Sequence, residues 1–230
     1  MIDFHTHVLP GMDDGAKDKG ESAALTAMLK EQGFDQIVLT PHFYPDRESM
    51  ADFLERRSAA YLELDHNADV RYWRASETYL ADELFSYDSL DALCVESTRV
   101  LLLELPYEKQ WSRSVYDRIN RLIARYGIKP VIAHAERYEA AKKHRHAALF
   151  ELIDIGCLLQ FNADSLIDRT ARGNISKLIR DECLHIVGSD CHNHIARPPR
   201  FGQFMSVISK KPGLEYMDLL QENARNLLKI

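Results

Sequence analysis

No apolar run in these 230 residues is long enough to cross a bilayer, so no membrane insertion is expected. Positive charge is not in excess either. The 35 Asp and Glu against 29 Lys and Arg leave a net charge of −6, which argues against general binding to nucleic acid or to a membrane surface, local basic patches aside. Cysteine is scarce: Cys94, Cys157, Cys183 and Cys191 form no Cys-x-x-Cys pair and sit mostly among apolar residues, the pattern of reduced core thiols in a cytoplasmic protein. No internal repeat, low-complexity tract or linker divides the chain. A cleavable leader is hard to place where the first chemistry-bearing histidine stands at position 5. What remains is 46% hydrophobic residues, enough for one real core, over a length that suits a single α/β barrel. One domain over residues 1–230 is the expectation.

What is present begins with Met1-Ile2-Asp3-Phe4-His5-Thr6-His7. On a strand, alternation sends His5 and His7 to one face and Phe4 and Thr6 to the other, with Asp3 on the histidine face as a candidate to orient one imidazole. Two imidazoles on a stiff backbone are half of a divalent-metal site. Alone, His-x-His is a weak signal that equally describes two partly exposed histidines at a strand end.

The turn Leu9-Pro10-Gly11-Met12-Asp13-Asp14-Gly15 follows, then a helix over Glu21 to Gln32 stopped at Gly33. Further strands are expected over Asp35 to Thr40, Val70 to Ala75, Val100 to Leu105, Lys129 to Ala133, Cys157 to Phe161 and Leu184 to Val187. Between them, helical spacing marks Pro45 to His66, a short helix near Tyr79 to Phe85, Trp111 to Tyr126, a basic helix over Lys142 to Ile155, and Ile167 to Asp181. Helices over Phe201 to Lys210 and Leu214 to Leu228 complete the chain. Seven largely apolar strands alternating with helices imply a parallel sheet covered on both faces, as a (β/α)7 barrel or an open doubly wound sheet.

The polar residues choose between the two. His5/His7, His42, Glu77, Glu104, His134, Asn162 and Asp190/His192 each fall at or just past the C-terminal end of a strand. In a closed barrel those ends converge on one bowl, whereas strands spaced about 4.8 Å apart in an open sheet would scatter them. Glu104, inside Val100-Leu101-Leu102-Leu103-Glu104-Leu105, would cost several kcal/mol to bury unpaired and calls for a metal ion or a buried arginine. Asp190-Cys191-His192 repeats the i, i+2 logic on an expected extended backbone, with Gly188 allowing close approach and Cys191 turned toward the packing side. Five histidines (His5, His7, His42, His134, His192) with Glu77, Glu104, Asp190 and either Asp13 or Asp14 are too many donors for one ion and suit two or three. Mixed N and O donors fit Mn²⁺, Fe²⁺ or Zn²⁺.

The stretch from His5-Thr6-His7 through Ala16, followed by Thr40-Pro41-His42, Ser76-Glu77, Leu103-Glu104, His134-Ala135-Glu136-Arg137-Tyr138, Gly188-Ser189-Asp190-Cys191-His192-Asn193 and Arg197-Pro198-Pro199, resembles the polymerase-and-histidinol-phosphatase (PHP) superfamily in order and spacing. More narrowly, it resembles the bacterial metal-dependent protein-tyrosine phosphatases that regulate capsule and exopolysaccharide synthesis. Ala135 departs from that pattern, where proline is usual. The resemblance implies a distorted seven-stranded TIM-like barrel with a trinuclear site usually credited to manganese. His5, His7, Glu77 and Asp190 would hold one ion, Glu77, Glu104 and His134 the second, and Asp14, His42 and His192 the third. Arg137 and Arg197 would grip the phosphate, a dianion that calls for planar, bidentate donors.

The activity so implied is metal-assisted hydrolysis of phosphotyrosine on a bacterial tyrosine autokinase. Its rivals are hydrolysis of histidinol phosphate or another small phosphomonoester, and a non-catalytic metal-binding scaffold. No cysteine nucleophile is expected, because Cys191, six residues before Arg197, has the wrong surroundings. Phe43, Tyr44, Tyr79, Tyr107 and Tyr138 are expected to line the mouth with aromatic surface suited to an aromatic phosphoester on a flexible peptide.

Overall fold

Nine short strands lie among the residues that the computed structural model describes (1–66, 69–142, 146–167, 183–208 and 214–230): β1 (Ile2–Thr6), β2 (Gln36–Leu39), β3 (His42–Phe43), β4 (Arg71–Arg74), β5 (Glu77–Tyr79), β6 (Val100–Glu104), β7 (Lys129–Ile132), β8 (Leu158–Asn162) and β9 (Ile186–Gly188). They follow seven paths. Pro41 has no N–H for the ladder and parts β2 from β3, while Ala75 and Ser76 part β4 from β5. The pairing survives both breaks, since Ala75 donates to the Leu39 carbonyl (2.9 Å) and Glu77 to that of Pro41 (3.0 Å).

All pairings are parallel, in the orders β1-β2-β4 and β3-β5-β6-β7-β8-β9. The ring closes just past β9. There Thr6 bridges Cys191, Asp190 N–H donates to the His5 carbonyl (2.8 Å) and His7 N–H to that of Cys191 (3.0 Å). The sheet is thus a distorted barrel, and the open alternative is excluded.

Among the described residues the helices are α1 (Lys19–Glu31), α2 (Met50–Glu63), α3 (Arg113–Tyr126), α4 (Glu139–Lys142), α5 (Ala147–Asp154), α6 (Phe201–Ile208) and α7 (Leu214–Leu228). Side chains start the first two: Asp18 accepts from Glu21 N–H at 2.9 Å and Ser49 from Asp52 N–H at 3.1 Å. Leu25, Phe53, Val115 and Ile119 pack these helices onto the outer strand residues Ile37, Leu39, Leu101 and Leu103. A second cluster fills the barrel, with Phe4, Val38, Trp73, Val100, Leu102 and Val131, and Leu227 of α7 joins it.

Three expectations change. Tyr79 ends a strand paired with β6, so only a 3-10 turn over Asp82–Ser86 stands where a helix from Tyr79 was expected. The basic helix is in two pieces, α4 and α5, with residues 143–145 outside the described ones; the helix expected over Ile167 to Asp181 lies outside them beyond Ile167. Finally, β1 is not a plain alternation. Asp3 pairs with Ile37 and Thr6 with Leu39, so Phe4 and His5 together oppose Val38, and this bulge turns both inward. Asp3 therefore leaves the histidine face. Its Oδ1 instead accepts the N–H of Ser189 (2.9 Å) and of His5 (3.3 Å), while burial pushes its carboxyl up to about 6.

Arg57 of α2 reaches beneath the β4–β5 break and donates to the carbonyls of Ala75 (2.7 Å) and Ala92 (2.9 Å). It is buried, and that desolvation brings its pKa down to about 10. Arg57→Met loses both charged hydrogen bonds and should destabilise the protein by about 2–4 kcal/mol. The expected reading is a lower urea midpoint at unchanged slope; an unmoved midpoint would show that the break holds without it.

Candidate metal centre

Along the inner face the strands run apolar and then turn polar toward their C-terminal ends, as in Trp73, Ala75, Glu77 and again in Val100, Leu102, Glu104, with β8 turning polar earlier, at Gln160. Closure brings these ends together. His5, His7, Glu77, Glu104, His134, Asp190 and His192 are each at most 5% exposed. Glu77 is at the centre: its Oε2 lies 3.2 Å from His5 Nε2, 3.3 Å from His7 Nε2 and 3.2 Å from His42 Nδ1, and its Oε1 lies 2.7 Å from His134 Nε2. Glu104 Oε1 is 3.7 Å from His134 Nε2. Asp14, more exposed, holds Oδ1 at 3.3 Å from His192 Nε2 and 3.6 Å from His42 Nε2.

Asp190 faces two ways. Its Oδ1 lies 3.4 Å from His192 Nδ1, 3.5 Å from His7 Nε2 and 3.7 Å from His5 Nε2. Its Oδ2 accepts from Arg137 (2.7 Å), Arg197 (2.9 Å) and Asn162 (2.7 Å). Asp13 and Asp14 also separate. Asp13 accepts His7 Nδ1–H (2.7 Å), His42 N–H (2.9 Å) and Gly15 N–H (2.9 Å), so it braces the histidines, whereas Asp14 faces His42 and His192.

The backbone is shaped to allow this. A Cβ on Gly188 would stand 2.5 Å from His5 Cβ. Asp190 (φ +51°) and His134 (φ +32°) are left-handed, so the extended backbone expected through Asp190-Cys191-His192 gives way to a turn. Cys191 packs in the outer core, 1% exposed, and burial drives its thiol pKa up, the opposite of what a nucleophile needs.

Burial disfavours every charge here, yet His5 and His134 still hold Glu77 well below the usual carboxylate range. Glu104 goes the other way, pushed up to about 7 by burial and then by the Glu77 charge. His42 is brought down to about 4 by burial. Asp13 fixes a proton on His7 Nδ1 and, despite burial, the charges of Asp13 and Glu77 hold the imidazole pKa well above its usual value in the metal-free protein. The Nε2 lone pair thus faces the bowl only once the proton there is displaced. His42 Nδ1 and His192 Nε2 are buried without a hydrogen bond. Donor atoms of His7, Asp14, His42 and His192, of His5, His7 and Asp190, and of His42, Glu77 and Glu104 each lie within 4.8 Å of one another. Convergent, electron-rich N and O atoms of this kind fit divalent cations. The third group has His42 beside the two acids where the expected division has His134.

Sequence reasoning counted Asn162 among the polar strand ends without giving it a task and passed over Gln160, although polar side chains at i and i+2 on β8 carry the same signal as His-x-His. It also placed too much aromatic surface at the mouth. Phe43 packs on Phe53 (4.9 Å between centroids), and Tyr138 is fully buried with its hydroxyl accepting from Leu105 N–H (2.9 Å). Tyr44 and Tyr79 are half-buried and Tyr107 is exposed.

A closed parallel barrel with a histidine–carboxylate bowl at the strands' C-terminal ends defines a PHP-type protein. The chain belongs to the capsular polysaccharide synthesis CpsB/CapC family, whose model matches residues 1–229. It is 31% identical to the tyrosine-protein phosphatase CpsB of Streptococcus pneumoniae, over 99% of this chain and 98% of that one. Among solved structures, it matches a chain from those of YwqE from Bacillus subtilis and CpsB from Streptococcus pneumoniae, described as unique metal-dependent tyrosine phosphatases, with a TM-score of 0.83, 25% identity and coverage of 100% and 94%. The histidinol phosphate phosphatase of Lactococcus lactis shares the fold at a TM-score of 0.52 and 10% identity, covering 96% of this chain and 93% of that one.

Glu104 gives the pH test of the bowl. A carboxyl held up at about 7 binds its proton more tightly in the folded metal-free protein than in the unfolded chain, so its contribution is full at low pH and is lost as pH rises through about 7. Glu104→Gln should flatten that fall in the metal-free protein and weaken Mn²⁺ binding. Melting temperatures across pH in chelator, with a Mn²⁺ titration, check both; an unchanged slope together with parental Mn²⁺ affinity would make Glu104 an ordinary structural acid.

Proposed function

We propose that this chain is a metal-dependent protein-tyrosine phosphatase. In this reading it is one catalytic domain over residues 1–230, acting in the cytoplasm on a phosphotyrosine-bearing protein, a bacterial tyrosine autokinase of capsule or exopolysaccharide synthesis. The observation that carries the reading is the junction at Asp190, where a single carboxylate meets the histidine set through Oδ1 and both arginines through Oδ2. A place for cations thus adjoins a place for phosphate. Membership of the CpsB/CapC family and the likeness to CpsB support it.

His5, His7, Asp14, His42, Glu77, Glu104, His134, Asp190 and His192 would hold two or three divalent ions, manganese before iron or zinc. Such ions, when bound, acidify water and offset charge on the phosphoryl oxygens. Arg137 and Arg197 bind and orient the phosphate. A guanidinium has five donors, and anchoring on Asp190 leaves others to meet phosphate oxygens. Sharing one anchor atom fixes the spacing of the two forks before substrate arrives, which lowers the entropy cost of alignment. Tyr44 stacks on His42 (5.2 Å) with Arg47 over its ring (4.3 Å) and Tyr79 beside it (5.9 Å), while Tyr107 stacks on His134 (6.0 Å); these rings would offer aromatic surface to a phosphotyrosine. A tyrosinate with pKa about 10 leaves with little protonation, so the bowl needs no dedicated acid. No helix among the described residues is long and apolar enough to cross a membrane.

Chelation should abolish hydrolysis of p-nitrophenyl phosphate, and Mn²⁺ should restore it; full activity in protein shown to be metal-free ends the metal reading. For the substrate, kcat/KM on a tyrosine-phosphorylated peptide should exceed that on histidinol phosphate by at least about tenfold, or about 1.4 kcal/mol in transition-state binding. Equal values, or the reverse preference, would assign the bowl to a small phosphomonoester.

A further inference from the structure

Gln160 lies fully buried on the inner face of β8, two positions before Asn162. Its Oε1 is 2.8 Å from the His134 backbone nitrogen and 2.9 Å from His5 Nδ1. Its Nε2 is 2.9 Å from Asn162 Oδ1, and Asn162 Nδ2 is 2.7 Å from Asp190 Oδ2. One partner in this chain has no freedom: a backbone N–H can only donate. The Gln160 atom facing it must therefore accept, which makes it the oxygen and the other end of the amide the NH2 group.

The remaining protons follow. Asn162 has to turn its oxygen to Gln160 and its NH2 to Asp190, whose ionised carboxylate only accepts. On the other arm, His5 Nδ1 faces an oxygen and carries the proton. That leaves Nε2 as the ring nitrogen free to give up its proton to a cation, and it faces the space shared with His7 Nε2 (3.1 Å), Glu77 Oε2 (3.2 Å) and Asp190 Oδ1 (3.7 Å).

We infer that Gln160 is a positioning residue for the metal centre: one amide sets the tautomer of His5, holds His134 by its backbone and orients Asp190 through Asn162. This rests on the metal-dependent reading above. Gly188 leaves the space for it, since a Cβ there would come within 3.1 Å of Gln160 Nε2. A merely structural glutamine would matter to the stability of β8 and not to the donors.

Gln160→Met keeps an unbranched side chain and removes the hydrogen bonds. Titration calorimetry of the chelator-stripped protein with Mn²⁺ should show affinity weakened by about ten- to a hundredfold. Leu159→Ala, on the opposite face of the same strand, should lower the metal-free melting temperature and leave Mn²⁺ affinity within about threefold of the parent. Asn162→Leu cuts only the Asp190 arm and should weaken binding less than Gln160→Met; it decides the matter should Gln160→Met fail to fold. Parental affinity in Gln160→Met (or in Asn162→Leu if that variant must decide) overturns the inference, as does an equal loss in Leu159→Ala. A parent protein that binds no Mn²⁺, Fe²⁺ or Zn²⁺ overturns the metal reading itself, and this inference with it.

Discussion

The bowl depends on the parallel seam between β1 and the residues just past β9. His5 and His7 come from the start of the chain, Asp190 and His192 from near its end, and two backbone hydrogen bonds across the seam set their distance. The approach is so close that position 188 has no room for a side chain beside His5. Asp3 secures the seam from the outer face by gathering the N–H groups of Ser189 and His5. The donors contributed by β1 and the residues past β9 therefore meet only where the ring closes, at a contact between distant parts of the chain.

Closure has an electrostatic consequence. Buried ring nitrogens and carboxylate oxygens are pressed together, and in the metal-free protein they settle their mutual repulsion by unequal protonation: Glu77 stays ionised among histidines while Glu104 is pushed toward its neutral form. Cations would relieve that conflict, so metal affinity and fold stability are two readings of one free energy. The left-handed backbone at Asp190 and His134 belongs to the same account. Each non-glycine residue there costs about 1–2 kcal/mol and is held by its bonds, to the His5 carbonyl for Asp190 and to Gln160 for His134.

The sequence displayed the barrel because its cause is periodic. Apolar strands, glycine stops and polar strand ends recur in register, and Glu104 within five apolar neighbours stands out as a carboxylate that burial would leave in need of a partner. What escaped was local and aperiodic. The bulge at Phe4 and His5 leaves no mark in the sequence, and it alone removes Asp3 from the histidine face. The break at Pro41 was visible as a proline but not as a strand that resumes at His42, because only the neighbouring Glu77 shows that the ladder continues. Asp13 and Asp14 were indistinguishable by type; their hydrogen bonds tell them apart. Gln160 escaped for another reason: a glutamine binds no metal strongly, so a search for ligands passes over it.

Asp190 is where these threads become chemistry. A carboxylate with histidines on one oxygen and two guanidinium groups on the other makes any cation held by the histidines and any phosphate held by the arginines near neighbours through one rigid group. Rigidity matters more than attraction here, because a misplacement of the phosphorus by an ångström can cost about a hundredfold in rate. Aromatic rings stand beside the same bowl, Tyr44 against His42 and Tyr107 against His134. A phosphate so aligned would need only a flat ring surface beside it to hold an aromatic ester, and the half-buried Tyr44 and exposed Tyr107 offer such surface at the rim.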